Sequence, residues 1–392
     1  MPSKTVLLAW ELGGGLGHAR RLLAIALALH RQGWRPIVAA REVWACAAEY
    51  RHADVPLIQA PLHRGLSPAE GARFQARSFA DMVAACGYRR VEELYAVVSA
   101  WDRLIDMIQP SVIIADYSPL LSLAAHGRVP LVAIGDGFVL PPPHLPQMPL
   151  LRPDGAPIAE ESQLLANAAV VQRGRGLAVP RSLPAVIGGQ AHVVCTYPET
   201  DIYAGQRQQP ASGPIGSSPP RVAPPAGGAI FAYLAADEPR VPELLRMIAG
   251  MGFPIEAFLR GAPDQMKQAL RASGMSVHDE PPPLAEVAER ASLVIHHAGI
   301  GTIETCLALG RPQLLLPRHL EQSLNASTAV RVGTALSLSR SSRLSEASAV
   351  IAEAAGSRRL VERAQELAAV LAGRPAKALD EIVARCDALS RE

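Results

Sequence analysis

Four small groups of residues carry types and spacings suited to chemistry. The first is His18, which ends the run LGGGLGH (residues 12–18) behind an apolar stretch. A histidine at a helix start points into solvent or a cleft and titrates near working pH, which suits removal of a proton from a hydroxyl. It could equally cap or pack the helix. The second is Asp116, which closes the run SVIIAD (111–116) at the carboxyl end of an expected strand. A carboxylate beside an imidazolium raises the basicity of the ring. The alternative is a cap on the helix that follows Ser118 and Pro119. The third is His297-Ala298-Gly299-Ile300-Gly301-Thr302, a small-residue turn between the strand run SLVIHH and a helix beginning near Thr302. Unpaired N–H groups at such a helix start attract anions, and glycine allows close approach. The imidazole of His297 can donate a hydrogen bond to a phosphate oxygen. The bland reading is a turn that merely packs. The fourth is the pair Glu321 and Gln322, an acceptor and a mixed donor–acceptor suited to vicinal hydroxyls, or else an ordinary polar helix start.

These groups need elements to hold them, and the chain supplies a regular alternation. Short β-rich apolar runs at 5–10, 36–40, 55–60, 112–116 and 129–134 read as buried strands. Residues 18–32 carry Leu22, Leu23, Ala26, Leu27 and Leu29 on one helical face and close at Gly33. Strand, helix and strand in this rhythm imply a parallel sheet with helices on both faces. Residues 140–157 are Pro-rich loop, and 205–228 form a Pro/Gly/Ser-rich linker. The alternation then restarts, with strands at 230–234, 255–259, 293–296 and 313–316. Helices are expected at 241–250, 264–272, 284–290 and 303–309, and helical segments run from 345 to 389. The implied division is an N-terminal domain 1–204, the linker 205–228, a C-terminal domain 229–375 and a last helix 376–392 placed to pack back on the first domain. Two doubly wound halves of this kind put a ligand cleft between the carboxyl ends of their sheets.

Composition removes several classes. The chain has 392 residues, 49% of them apolar, and a formal charge of +2. That length suits two domains with real cores, and the charge argues against a nucleic-acid partner. Cys46, Cys86, Cys195, Cys306 and Cys386 are scattered, which reads as reduced buried thiols and neither a disulfide framework nor a zinc site. The N-terminal run is broken by Glu11 and reads as a first strand, not a secretory signal. No apolar stretch approaches the ~20 residues of a membrane span. A cytoplasmic protein is expected, with peripheral membrane contact left open. A dinucleotide fingerprint starting at Gly13 would need glycine where His18 stands, and Arg41 follows the second strand in place of an acid, so no NAD site is expected. No metal site is expected either: no Asp-x-Asp closes a strand, and His296 and His297 are adjacent.

The run from His297 to Asn325 resembles the donor-binding signature of nucleotide-sugar glycosyltransferases, the group that includes plant and bacterial natural-product glucosyltransferases. That signature is usually HGGxGTxxEAxxxGxPxLxxPxxxDQxxNA. Here it stands as His297 to Thr302, Gly310-Arg311-Pro312, Pro317, Glu321-Gln322 and Asn325-Ala326, with its spacing kept. The segment ending at His18 looks like the N-terminal GGxGH turn of the same enzymes. The resemblance implies an α/β GT-B fold, two Rossmann-like doubly wound domains facing each other across a cleft. It implies His18 as general base and Asp116 as its orienting partner. It places the donor on His297, Gly299, Gly301, Thr302, Glu321 and Gln322. Residues 73–90 and 135–143 would lie on the acceptor side.

The sequence also departs from the pattern. The family glutamate after the GT turn falls on Thr305, with Glu304 one position early. Glu321 replaces aspartate, so a donor sugar other than glucose is expected. Ala235 stands where many relatives carry a phosphate-contacting Ser or Thr. The base-stacking Trp of the long plant box is absent, and the base is expected on the loop 278–284.

The activity implied is inverting, metal-independent transfer of a sugar from a UDP- or TDP-sugar to a hydroxyl-bearing small molecule or lipid. The nucleotide sugar is a co-substrate, and no other cofactor is expected. Two alternatives remain open: an epimerase or hydrolase of nucleotide sugars on the same fold, and a non-catalytic partner protein that activates another transferase.

Overall fold

The computed structural model describes residues 4–391 except 217, 226, 340, 341 and 343, together with all but the side chains of 344 and 345. Residues 217 and 226 of the expected linker, residue 392 of the last helix and residues 1–3 of the N-terminal run lie outside the described residues. The chain forms two compact units. The first comprises Met1–Pro198, Tyr203–Gly216 and Ala376–Glu392, and the second Glu199–Ile202 and Ser217–Pro375.

The first unit holds strands β1 (Thr5–Trp10), β2 (Arg35–Ala40), β3 (Leu57–Gln59), β4 (Val112–Asp116), β5 (Leu131–Gly135) and β6 (Ala191–Val194). They pair in parallel in the order β3-β2-β1-β4-β5-β6. β1 and β4 lie centrally and are almost wholly buried, as runs such as VLLAW and VIIAD require when helices cover both faces. The helix Leu16–Arg31 buries Leu22, Ile25, Ala26 and Leu29, and Gly33 at φ 84° turns the chain into β2.

The closing helix Ala378–Leu389 belongs to this unit. It buries Ala378, Ile382, Val383 and Cys386 in the same core as Leu22 and Ile25, and Trp34 Nε1 donates to Asp387 at 3.2 Å.

The second unit repeats the plan with β7 (Ala229–Ala235), β8 (Ile255–Arg260), β9 (Ser276–His278), β10 (Ala291–His296), β11 (Gln313–Leu315) and β12 (Ala335–Ser337). Their parallel order is β12-β11-β10-β7-β8-β9. Read from β9, this is the strand order of the first unit, the doubly wound Rossmann order. The short excursion Glu199–Ile202 counts with this unit, so the boundary expected at 204 is crossed early. A bidentate pair explains it: Arg374 reaches both carboxylate oxygens of Glu199 at 2.6 and 2.7 Å.

In each sheet the strand order reverses between the first and fourth strands of its unit. Ligands of doubly wound sheets bind outside the carboxyl ends at this switch point. In the first unit it lies between β1 and β4, and in the second between β7 and β10. His18 follows β1 and Asp116 ends β4; Ala235 ends β7 and His297 follows β10.

Candidate active site

At the first switch point the ends of β1 and β4 are sewn together. Leu12 N donates to Tyr117 O at 3.1 Å, and Ser118 Oγ donates to Ala9 O at 3.1 Å. Tyr117 adopts φ 48°, a left-handed backbone that costs a non-glycine residue of order 1 kcal/mol. The helix Leu16–Arg31 starts with Gly15 in the capping position, and no side chain caps it. His18 is therefore free of capping duty, and its Nδ1 lies 3.0 Å from Asp116 Oδ2. Its ring stacks on Trp10 with centroids 5.2 Å apart and planes 17° from parallel. A Cβ placed on Gly13 would come within 2.8 Å of His18 Nε2, so this glycine keeps the space before the second nitrogen open.

Asp116 is fully buried and does not cap the following helix. That duty falls to Glu11, whose two carboxylate oxygens accept from Leu120 N and Leu121 N at 2.9 and 2.8 Å. Glu11 is itself fully buried, and burial pushes its carboxyl up to about 8. Asp116 instead takes two cationic partners. Arg21 Nη1 donates to its Oδ1 at 3.0 Å and its Oδ2 at 3.2 Å. Burial alone would raise the Asp116 carboxyl, but Arg21 and His18 together hold it below its ordinary value. Arg21 Nη2 also lies 3.6 Å from Asp136 Oδ2, just past the end of β5. The sequence reasoning missed Glu11, Arg21 and Asp136. Arg21 could have been found from its spacing, since three residues after His18 is the same face of a helix.

Beside the dyad stands an aromatic group. Tyr117 meets Phe79 at 6.0 Å and Phe138 at 6.4 Å between centroids. Of residues 135–143, expected as an acceptor-side loop, 135–142 are buried and Pro143 is partly exposed. Within 73–90, Phe79–Val83 is helical, and its Phe79 joins this group.

At the second switch point the turn after β10 leads into the helix Ile300–Leu309, capped by Gly299 and starting two residues before Thr302. Thr302 N and Ile303 N both point back to Gly299 O, at 3.1 and 3.0 Å. The N–H groups of Ile300 and Gly301 have no acceptor within the helix and form the anion-attracting end. Ala298 sits at φ 59° where the pattern has glycine, and it is fully buried.

Both histidines here are engaged within the protein. His296 Nε2 donates to Gln313 Oε1 at 2.9 Å, Ala298 N donates to its Nδ1 at 3.2 Å, and burial pushes the ring down to about 4. His297 Nδ1 donates to Leu316 O at 2.8 Å, and its Nε2 accepts from Ala235 N at 2.9 Å. Burial, assisted by Arg318 and Arg260, lowers its titration below the ordinary histidine value. A neutral ring with both nitrogens engaged has no N–H left for a phosphate oxygen. The ring of His297, expected as a phosphate donor, here ties β7 to β10 through Ala235 N and reaches Leu316 O, with Arg260 and Arg318 nearby.

The remaining motif residues divide between partly exposed and buried places. Glu321 lies in the first turn of the helix Leu320–Arg331 and is partly exposed. Gln322 is also partly exposed, but its Oε1 accepts from Arg318 N at 2.9 Å, leaving the amide N–H groups for a ligand. Arg318 Nη2 pairs with Asp237 at 2.8 Å. Glu304 is buried beside Thr200, whose Oγ1 reaches it at 3.5 Å, while Thr305 is exposed with its Oγ1 donating to Gly301 O at 2.8 Å. Arg311 is fully buried and donates to Ala288 O, Val222 O and Glu289 O, so it holds the motif together. Gly310 stands at φ 75° against Gln365, where a Cβ would clash at 2.3 Å.

Among the described residues, no group of three or more His, Cys, Asp or Glu side chains is placed to hold a metal ion. Among the same residues, no helix is long and apolar enough to cross a membrane. All five cysteines are free and buried.

Comparison with known proteins bears on both units. The family described as "Erythromycin biosynthesis protein CIII-like, C-terminal domain" matches residues 273–389. The L-demethylnoviosyl transferase of Streptomyces niveus is 25% identical over 268 residues, which is 64% of this chain and 64% of that protein. The matched stretch thus spans about 64% of the length of that curated relative. Among solved structures, the calicheamicin glycosyltransferase CalG4 superposes with a TM-score of 0.70 at 17% identity, covering 99% of each chain. The spinosyn rhamnosyltransferase SpnG, complexed with thymidine diphosphate, gives a TM-score of 0.62 at 18% identity over 97% of this chain and 100% of that one. The fold is thus the GT-B fold of bacterial natural-product glycosyltransferases, built from two Rossmann-like units.

Proposed function

We propose that the protein is an inverting glycosyltransferase that moves a sugar from a TDP- or UDP-sugar to a hydroxyl of a small-molecule or lipid acceptor, without a metal and in the cytoplasm. The observation that carries this is the contact between His18 Nδ1 and Asp116 Oδ2 at 3.0 Å, at a switch point, with Nε2 beside Gly13, which has no side chain to cover it. Asp116 fixes the ring so that Nε2 presents its lone pair. The acceptor hydroxyl approaches Nε2, attacks the anomeric carbon, and gives its proton to His18 as the bond to the diphosphate breaks. Asp116, already ionised, stabilises the imidazolium that forms. A general base of this kind supplies about 10²–10⁴-fold, and positioning of donor and acceptor supplies much of the rest.

The leaving diphosphate is assigned to the start of the helix Ile300–Leu309, with the N–H groups of Ile300 and Gly301, the Gly299 turn and the Thr302 hydroxyl around it. His297 acts there as the strut that holds the turn. Glu321 and the amide N–H groups of Gln322 are assigned to the sugar hydroxyls. The names of the similar proteins, a noviosyl-type transferase and a rhamnosyltransferase with bound thymidine diphosphate, support a deoxysugar donor on TDP. The five buried free cysteines support a reducing compartment.

A thermal-shift series with TDP, UDP and GDP and their sugars tests the donor assignment. A nucleotide present at 100 times its dissociation constant stabilises the native state by about 2.7 kcal/mol. TDP or UDP should raise the melting temperature more than GDP, and no response to any nucleotide would remove the donor site. Incubation with donor alone then separates transfer from epimerisation or hydrolysis. A rearranged or freed sugar produced without acceptor, at the rate of the full reaction, would overturn the transferase assignment.

A further inference from the structure

We propose that Arg21 is a positioning residue of the His18–Asp116 pair, which sets the proton affinity of His18 and is itself held in place by Asp136. This rests on the proposed function for its catalytic meaning, though not for its electrostatics. His18 and Arg21 lie three residues apart on the helix Leu16–Arg31, so both project from one face. Asp116 and Asp136 lie at the carboxyl ends of the paired strands β4 and β5, where Asp116 is in register with Ile134. Arg21 spans the two carboxylates. Its Nη1 touches both oxygens of Asp116 at 3.0 and 3.2 Å, and its Nη2 lies 3.6 Å from Asp136. Phe138 N and Val139 N donate to the other oxygen of Asp136 at 3.0 and 3.4 Å, which fixes that carboxylate in turn.

The arrangement answers a problem that a dyad alone leaves unsolved. Asp116 has no exposed side-chain surface, and a buried carboxylate needs a partner that is charged at all times. Neutral His18 cannot be that partner, yet the base must be neutral before it takes a proton. With Arg21 present, Asp116 stays ionised while His18 is empty. Because Arg21 also draws on the same carboxylate, it restrains the proton affinity that Asp116 confers on the ring.

The other groups near this cluster are held in neutral form. The Cys195 thiol is pushed up to about 12 by burial, and the Tyr50 hydroxyl is raised above its ordinary range and donates to Ala19 O at 2.9 Å. The faces of the imidazole meet Trp10 and Tyr117, which carry no charge. Glu11, next to Trp10 in the chain, is occupied by Leu120 N and Leu121 N. The charged group in direct contact with His18 is therefore Asp116, linked through Arg21 to Asp136.

Histidine-labelled protein, with the His18 signal identified by its loss in His18→Gln, allows the ring to be titrated directly by NMR. In Arg21→Met the His18 midpoint should rise by about half a pH unit or more, as expected for losing one nearby positive charge. The acidic limb of the transfer rate should rise with it, and Arg21→Lys should restore much of both. Asp136→Asn provides the opposite sign: Arg21, released from one carboxylate, acts more strongly on the pair, and the His18 midpoint should fall. An unmoved midpoint in both Arg21→Met and Asp136→Asn, or a fall in the first, overturns the proposal. Should Arg21→Met fail to fold, Asp136→Asn and Arg21→Lys decide by the same readout. Midpoints that move as stated in a protein that transfers no sugar would leave the electrostatics standing and remove the enzymatic reading.

Discussion

His297 Nε2 accepts a hydrogen bond from the backbone N–H of Ala235 at 2.9 Å, across the switch point from β10 to β7. Together with the bond from Nδ1 to Leu316 O at 2.8 Å, it makes the ring a brace among three backbone segments. The proposed anion site beside it would then be built from main chain, which is compatible with Ala235 in a position where the resemblance has a hydroxyl side chain.

Removing that brace has a definite cost. His297→Ala leaves the buried Ala235 N–H without its acceptor, and an unsatisfied buried group costs about 1–3 kcal/mol. The expected result is a fall of that size in unfolding free energy, measured by denaturant titration. If stability is unchanged while TDP affinity collapses, the ring is a ligand and not a strut.

Acid should weaken the second unit through the neighbouring histidine. An unfolded histidine titrates near 6.5, whereas burial pushes His296 down to about 4. Its native value is the lower one, so its contribution is complete above pH 6.5 and is lost as pH falls through 6.5 toward 4. The lowered His297 acts in the same direction. Within that window the limiting slope is about 1.4 kcal/mol per pH unit for one group. Unfolding free energies at pH 7, 6 and 5 should decline accordingly and decline less in His296→Gln; a flat profile in the wild type contradicts the assignment.

Gly13 is the point where backbone form and chemistry meet in the first unit. It stands at φ 85°, and its Cβ position lies 2.8 Å from His18 Nε2. Gly13→Ala should cost about 1–2 kcal/mol of stability from the left-handed backbone. It should lower kcat by about 10²-fold, since a displacement near 1 Å at the reacting atoms has that effect. Steady-state kinetics beside a melting curve check both, and a variant of wild-type rate would show that the space over Nε2 is not where the acceptor sits.

Much of this was legible in the sequence because it rests on strong local signals. The central strands β1, β4, β7 and β10 are continuous apolar runs, and a switch point lies between the members of each pair. His18 and Asp116 each follow or end such a run, but their pairing across 98 positions was implied by the family resemblance and not by the runs themselves. The edge strands β6, β9 and β12 were not anticipated, because they are short and stand in no longer apolar run, whereas the equally short β3 and β11 do. Asp136 escaped because its role exists only when β4 and β5 lie side by side, whereas Arg21 escaped although its spacing puts it on the helical face of His18. The partners of His297 escaped for a related reason: Ala235 N and Leu316 O are backbone groups, which carry no residue-type signature.

The most direct test is to compare His18→Ala with the wild type in two assays: sugar transfer from TDP- and UDP-sugars to a panel of hydroxylated small molecules, and TDP binding by calorimetry. In His18→Ala, transfer should fall by about 10²–10⁴-fold, the share that a general base supplies, while TDP affinity stays within about twofold. Transfer at the wild-type rate in His18→Ala would contradict the role of His18 as base.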